Sequence, residues 1–501
     1  MKKIKTKIIA GAALAAVAAV TLTGCGNKKP EARQDESKRS AVHTENQLFV
    51  NAYNMDLTLN AEENNVEIVS TANVENNTDQ TLEEIIFLNP SSKVYQKDGN
   101  SGKNWEIRNI YIGSDESAKL DFTQDGSNPG IIKVDLGDKK LTPKDKLDIT
   151  IDVKEDIPYG DSRFGFYNTG EYYQYILTSC YPQMAEYREG EWKINDSAWT
   201  EENLKDNGLT QFSDYHVKIH APEGYTAAAS GTEMIGDDGV INIDSVDTRD
   251  FAIILSNGFR SAYYANDDMT VNYYFMEDAK SYKEGREVVE IALPVTIDWM
   301  SEMIEKYAWS QYDLVPLYNE SGCNTYTGLM TYGAKDIIDG LDGGATDDYR
   351  RNSVPVFKEG TINQWFSEMT GSNRATDGWL SRGMLTWFND YISVSATNDK
   401  AEHKLKEILD EAKEKYPEAM NKKLNEKIDD AETAYARDCF KGAEFLEALR
   451  NEMGDKDYVA VIHEFMEEFF MKDATSEDFI NTLMKHDNGK MESIINDYFV
   501  R

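Results

Sequence analysis

Six histidines, four cysteines and a run of aspartates are the side chains of this 501-residue chain on which metal or nucleophilic chemistry could be built. His216 and His220 lie four apart in an alternating segment, Tyr215-His216-Val217-Lys218-Ile219-His220. On a strand they share a face but stand roughly 13 Å apart at about 3.3 Å per residue, too far to hold one ion. His403, His463 and His486 fall in helical, mostly polar contexts without a second ligand at suitable spacing, and read as surface residues. Cys180, Cys323 and Cys439 are an odd number once Cys25 is set aside, so at most one disulfide can form. A nucleophilic Cys439 would need a base, and no histidine is identifiable as one. The run Asp336, Asp339, Asp342, Asp347 and Asp348, with Gly340, Gly343 and Gly344, lacks the spacing and terminal glutamate of an EF-hand and reads as a solvated loop.

Cys25 has a clearer context. Lys2, Lys3, Lys5 and Lys7 precede an uncharged apolar stretch from Ile8 to Leu22, short for a spanning helix of about 20 residues and suited to a secretory signal. The stretch ends in Leu22-Thr23-Gly24-Cys25, which resembles the lipobox of bacterial lipoproteins. That resemblance implies a signal peptide over 1–24, a diacylglyceryl group on Cys25 and anchoring at the extracytoplasmic face of a cell membrane. Two acyl chains hold stably where one is marginal. Residues 25–45 are polar, without hydrophobic period, and read as a flexible tether.

The chain carries 53 basic and 89 acidic side chains, a formal charge of -36, which loss of the four signal lysines makes more negative still. Such a surface is repelled by nucleic-acid phosphates and anionic lipid, so neither nucleic-acid binding nor electrostatic membrane docking is expected. The 40% of hydrophobic residues suits an ordinary globular body, and the length allows two or three domains. From 46 to 284 short segments alternate with period two, as in Tyr53–Leu59, Val66–Ser70 and Lys146–Val153, between turn clusters such as Asp98-Gly99-Asn100-Ser101-Gly102. They predict an antiparallel β-sandwich or saddle. From 285 to 501 helical stripes take over, with Leu405, Ile408, Leu409 and Ala412 on one face and Tyr458, Val461, Ile462, Phe465 and Phe469 on another. Pro417 is expected to end or kink the helix before it. The fold class is therefore multidomain α+β.

Particular pieces then fall in a familiar order: Thr248-Arg249-Asp250-Phe251-Ala252, Gly328-Leu329-Met330-Thr331-Tyr332, Asn363-Gln364-Trp365-Phe366, Trp379-Leu380-Ser381-Arg382-Gly383 and Phe440-Lys441-Gly442-Ala443. In order and spacing they resemble the zinc aminopeptidases typified by aminopeptidase N and leukotriene hydrolase, the gluzincins with a His-Glu-x-x-His helix. The resemblance implies a thermolysin-like, mainly helical domain after the β domain. In that family two histidines at i and i+4 and a glutamate nineteen residues beyond the second hold zinc. A glutamate after the first histidine takes the water proton, a tyrosine near the later Lys-Gly pair supports the oxyanion, and a Gly-x-Met-Glu segment grips the substrate amine.

With Gln364-Trp365-Phe366 fixing the register, every chemical position is changed. The ligand positions carry Glu359, Asn363 and Arg382, the base position Gly360, the oxyanion position Cys439 and the amine-binding position Thr331. A permanently protonated guanidinium opposes Zn²⁺ by charge and volume, so no metal and no catalytic residue are expected. Glu359 and Arg382 are expected to pair, with the guanidinium standing in for the metal; the alternative is that the site drifted and both charges reach solvent. The implied function is a non-catalytic lipoprotein that binds a peptide or protein partner by strand addition near Gly328, Leu329, Met330 and Thr331. The alternatives are a zinc metallo-aminopeptidase acting through a rearranged site, and a structural envelope protein with a closed cleft.

Overall fold

The computed structural model describes residues 47–94, 105–194, 211–276, 293–333, 356–396 and 404–500, less gaps of one to three positions. The signal, Cys25, the tether, the aspartate run 336–348 and His403 lie outside the described residues. Alternation does what the sequence predicts in the first half. The strand Gln47–Asn60 buries Met55, Leu57 and Leu59 on one face and exposes Asp56 and Thr58 on the other. It is the middle of a nine-stranded sheet, antiparallel to Asn65–Asn76 with Leu57 opposite Ile68. On its other side it runs parallel to Ser213–His220, with Tyr53 opposite Tyr215. The sheet is therefore not wholly antiparallel, because period two fixes which face a residue occupies and not the direction of the neighbouring strand. Two four-stranded sheets share its core, in which Leu57, Ile68, Val153, Phe87, Ile132, Phe164, Phe251 and Leu255 are all buried.

The second half opens on a mixed five-stranded sheet in the order Phe259–Ala265, Thr270–Met276, Gln311–Leu317, Leu329–Gly333, Cys323–Tyr326. Its first two strands precede residue 285, so this sheet crosses the boundary expected between 46–284 and 285–501. The sequence could not mark this: Thr270–Met276 reads as one more short β segment after the sandwich strands, yet pairs in parallel with Gln311–Leu317. Every residue of Gln311–Leu317 is buried, as expected of a central strand covered on both faces, which leaves it no alternation to read. Helices then pack over Trp365, Trp379, Trp387, Phe445, Phe465 and Phe479 in one core. Leu405–Lys415 ends before Pro417, which begins the next helix at a position where its missing N–H costs nothing. Among the described residues no helix is long and apolar enough to cross a membrane.

A segment of the first half plugs into the second beside the Cys323–Tyr326 hairpin. The hydroxyl of Thr327 accepts from the backbone N–H groups of Arg249 and Asp250, at 3.1 and 3.3 Å, and donates to Glu368 Oε2 at 2.9 Å. Arg249, buried over the Phe212 ring, donates from Nη1 to Asp473. Burial, before any neighbouring charge, pushes the Glu368 carboxyl up to about 8 and that of Asp250 up to about 7. An acid whose folded pKa is raised keeps its proton in the native state while the unfolded chain releases it. Its contribution is thus full below about pH 4 and is lost as pH rises through about 8. Replacing Glu368 by Gln removes this penalty, so unfolding titrations at pH 5 and pH 8 should show the variant gaining on the parent protein as pH rises. An unchanged difference would mean that Glu368 titrates normally.

Candidate ligand-binding cleft

The substituted positions are carried on helices, two of which contain a π-helical turn, a local widening often found at functional sites. The first runs as α-helix over 356–363 and continues as π-helix over Gln364–Met369. Gln364, fully buried, fastens it to the edge hairpin: Oε1 accepts from Gly328 N at 3.0 Å and Nε2 donates to Tyr326 O at 2.9 Å. Gly328 turns that hairpin with φ of 68°, a region that favours glycine. The second helix passes from Ala431–Ala436 through a π-turn, Arg437–Lys441, into Gly442–Met453. It crosses Trp379–Ala396 at two glycines, where a Cβ on Gly383 would stand 2.9 Å from Gly442 Cα. This close crossing brings Arg382 against Asp438.

Arg382 Nη1 donates to Asp438 Oδ2 at 3.0 Å, and the other oxygen of that buried carboxylate accepts from Arg437 Nε and Nη2 at 2.9 and 2.7 Å. The ion pair expected between Glu359 and Arg382 is therefore not formed; the guanidinium binds a carboxylate one position before Cys439 instead. Glu359 and Asn363 are half-buried on one helix face, one turn apart, and neither side chain makes a hydrogen bond or ion pair among the described residues. Burial raises the Glu359 carboxyl above the ordinary range. Gly360 is covered, since a Cβ there would lie 2.7 Å from both Sδ and Cε of Met330. Burial pushes the Cys439 thiol up to about 12, against the opposing effect of Arg382, so at neutral pH it is a protonated thiol and a poor nucleophile.

The residue that joins these positions is one the sequence reading passed over. Tyr435 lies under the Arg382 guanidinium, 4.8 Å from Cζ to the ring centroid. Its phenol is raised by Cys439, then by burial, then by Glu359, so it neighbours all three substituted positions. It stands one turn before Cys439, and i, i+4 spacing could have found it. Asp438 left no such signal, being one of 89 acidic residues and 56 positions from its partner.

The strand proposed for ligand capture also moves. Leu329–Gly333 is wholly buried and paired on both sides, parallel to Gln311–Leu317 and antiparallel to Cys323–Tyr326. Gly328, Leu329, Met330 and Thr331 therefore offer no free edge, and buried Thr331 cannot reach a ligand. The sheet's edge on this side is Cys323–Tyr326, which among the described residues pairs with no second strand. Gly333 N donates to Gly322 O, and alternation along an antiparallel ladder then turns the N–H and C=O of Thr325 outward. The error came from sheet order: the two strands of the hairpin are both short, and only the order of strands in the sheet says which is outermost.

The remaining candidates disperse. His216 pairs with Asp244 at 2.8 Å and His220 with Asp56 at 3.1 Å. His463 binds the Ile304 carbonyl, and His486 pairs with Glu464 at 2.7 Å. Cys180, Cys323 and Cys439 are free thiols.

A β-sandwich followed by a mixed sheet with an antiparallel edge hairpin, pinned by one helix and crossed by another, is the framework of the two-domain metallopeptidases. Residues 291–498 match the Peptidase family M1 domain. The chain resembles Aminopeptidase 2, mitochondrial, of Saccharomyces cerevisiae, at 23% identity over 208 residues, or 38% of this chain. The match takes in 21% of that relative, so the chain spans about a fifth of its length. Among solved structures, the M1 zinc metallopeptidase of Deinococcus radiodurans superposes with a TM-score of 0.63 at 14% identity, over 90% of this chain and 93% of that one. A mutant of it bound to a Tyr-Ser-Ala substrate gives 0.59 at 14% identity, over 91% and 95%. Native leukotriene A4 hydrolase from Saccharomyces cerevisiae gives 0.67 at 14% identity, over 95% and 69%.

Zinc, which the family name implies, does not fit the residues that the register puts at its ligand positions. They are a carboxylate, an amide and a guanidinium already committed to Asp438, and zinc sites are built from thiolate, imidazole and carboxylate. Among the described residues no group of three or more His, Cys, Asp or Glu side chains could hold a metal. Asp438→Ala leaves two guanidiniums without their shared anion and should cost about 3–5 kcal/mol in denaturant unfolding. Glu359→Gln should instead gain stability relative to the parent as pH rises above the ordinary carboxylate range, because it removes a carboxylate whose ionisation burial opposes. A near-neutral Asp438→Ala would show that the triad carries no weight.

Proposed function

We propose that this chain is a membrane-anchored extracytoplasmic lipoprotein that uses an M1-type cleft to bind a peptide or protein without cleaving it. The observation that carries the reading is the Arg382–Asp438 ion pair at the place where the family resemblance puts the third zinc ligand. Around it the base position is a glycine closed off by Met330, and the oxyanion position is a protonated thiol. General acid–base work, worth about 10² to 10⁴ in rate, has no group to perform it at the family's base position, Gly360. Binding has a more favourable basis. The outward N–H and C=O of Thr325 suit an extended backbone added to the sheet edge, and the Deinococcus radiodurans relative, with the same fold, holds a tripeptide substrate. The lipid on Cys25 would hold this acidic body at the membrane where its charge alone would repel it.

Metal analysis of the purified protein, combined with turnover of aminoacyl-anilide and peptide substrates, tests the catalytic half of the proposal. The expected result is no stoichiometric zinc and no chelator-sensitive hydrolysis; finding both would establish an active peptidase. For binding, a peptide library should yield ligands whose affinity falls at least about tenfold in Thr325→Pro, which removes one outward N–H and no ladder bond. A library with no binders, or binders indifferent to Thr325→Pro, would exclude capture at this edge.

A further inference from the structure

The most anomalous polar cluster lies far from the cleft, inside the first half. Glu155, at 0% exposure, sits near the end of the strand Lys146–Asp156 and faces the turn that follows Glu84–Leu88. Asn89 Nδ2 donates to Glu155 Oε1 at 2.8 Å, and the Ser91 hydroxyl lies beside the same carboxyl and lowers its pKa. Asn89 N donates to Gly130 O at 2.8 Å, and the Ser92 hydroxyl presses on Gly130 so closely that a Cβ there would overlap it. Asn128 stands two residues before Gly130 on the same turn, with its carbonyl bonded to Ile131 N.

These segments carry five buried side-chain oxygens whose hydrogen-bonding capacity is not fully met among the described residues: Asn89 Oδ1, Ser91 Oγ, Ser92 Oγ, Asn128 Oδ1 and Glu155 Oε2, with Ser91 Oγ beside the Glu155 carboxyl. Each orphaned buried polar atom costs about 1–3 kcal/mol, and a native fold rarely concentrates them without a ligand. Among the described residues no Lys, Arg or His pairs with Glu155, although burial penalises its charge enough to push the carboxyl up to about 8.

We propose that these oxygens form a buried site for a monovalent cation such as Na⁺ or K⁺. The donor set is all oxygen, which suits a hard cation rather than a transition metal. It holds one carboxylate, whose single charge a monovalent ion balances, whereas calcium sites gather several. The ion would tie the turn at 89–92 and the turn at 128–130 to the central sheet, and so act on stability and not on the cleft.

Thermal unfolding of the intact protein in LiCl, NaCl, KCl and choline chloride at constant ionic strength tests the site. The expected result is a saturable rise in Tm, on the order of 5 °C, with one of the alkali ions over choline. Ser92→Ala, which keeps the carboxylate, should shift the half-saturating concentration upward, and Glu155→Gln should abolish the dependence. Crystals soaked in a thallium(I) salt should show an anomalous peak beside Glu155 Oε2. Equal Tm in all four salts, or buried water alone at that position, would overturn the proposal.

Discussion

The Asp438 carboxylate, held between Arg382 and Arg437, is the constraint on which the cleft depends. A guanidinium at 382 cannot be left alone so close to the core, and it meets an anion one residue from the oxyanion position, on the crossing helix. Glycines at 383 and 442 allow that crossing to be close enough for the bridge. Buried ion pairs gain little over apolar packing when intact but cost heavily when halved. The bridge therefore locks the two helices in register more than it adds to stability. It also leaves Glu359 without the cation that would have balanced it.

Everything else in the cleft follows from two helices fixed in this way. Gln364 carries the position of the first helix to the edge hairpin through Tyr326 and Gly328. Thr327 in the same turn receives the segment Arg249-Asp250 from the first half and passes the contact to Glu368. A single two-residue turn thus meets the helix, the edge strand and the sandwich. Peptide added along Cys323–Tyr326 would lie on a strand whose position is set by all three, a preorganisation that lowers the cost of binding.

Much of this was legible in the sequence, and the limits have physical causes. Alternation located the sandwich strands because one face of each is buried, and helical stripes such as Tyr458 to Phe465 marked core faces correctly. Gln311–Leu317, covered on both faces, carries no period, and Thr270–Met276 looks like a sandwich strand, so a sheet built from strands on both sides of residue 285 could not be read from period alone. Family order and spacing led to positions 359, 360, 363, 382 and 439, of which 359, 382 and 439 adjoin Tyr435. What could not be read was pairing. Electrostatic partners of a buried arginine are chosen by three-dimensional approach, and Asp438 has no local pattern to distinguish it from other acids. The outermost strand of a sheet is likewise a property of topology, which is why the free edge lies at Cys323–Tyr326 and not at Gly328–Thr331.

On the proposed reading, the ion-paired guanidinium of Arg382 takes over a metal's role of tying the helices together, while the sheet edge would hold a peptide. The central claim is most directly tested by a high-resolution crystal structure of the purified protein grown with excess zinc, with diffraction data collected at the zinc absorption edge. The account predicts Arg382 in contact with Asp438 and no anomalous density among Glu359, Asn363 and Arg382. A zinc peak there, with Arg382 swung away from Asp438, would contradict it.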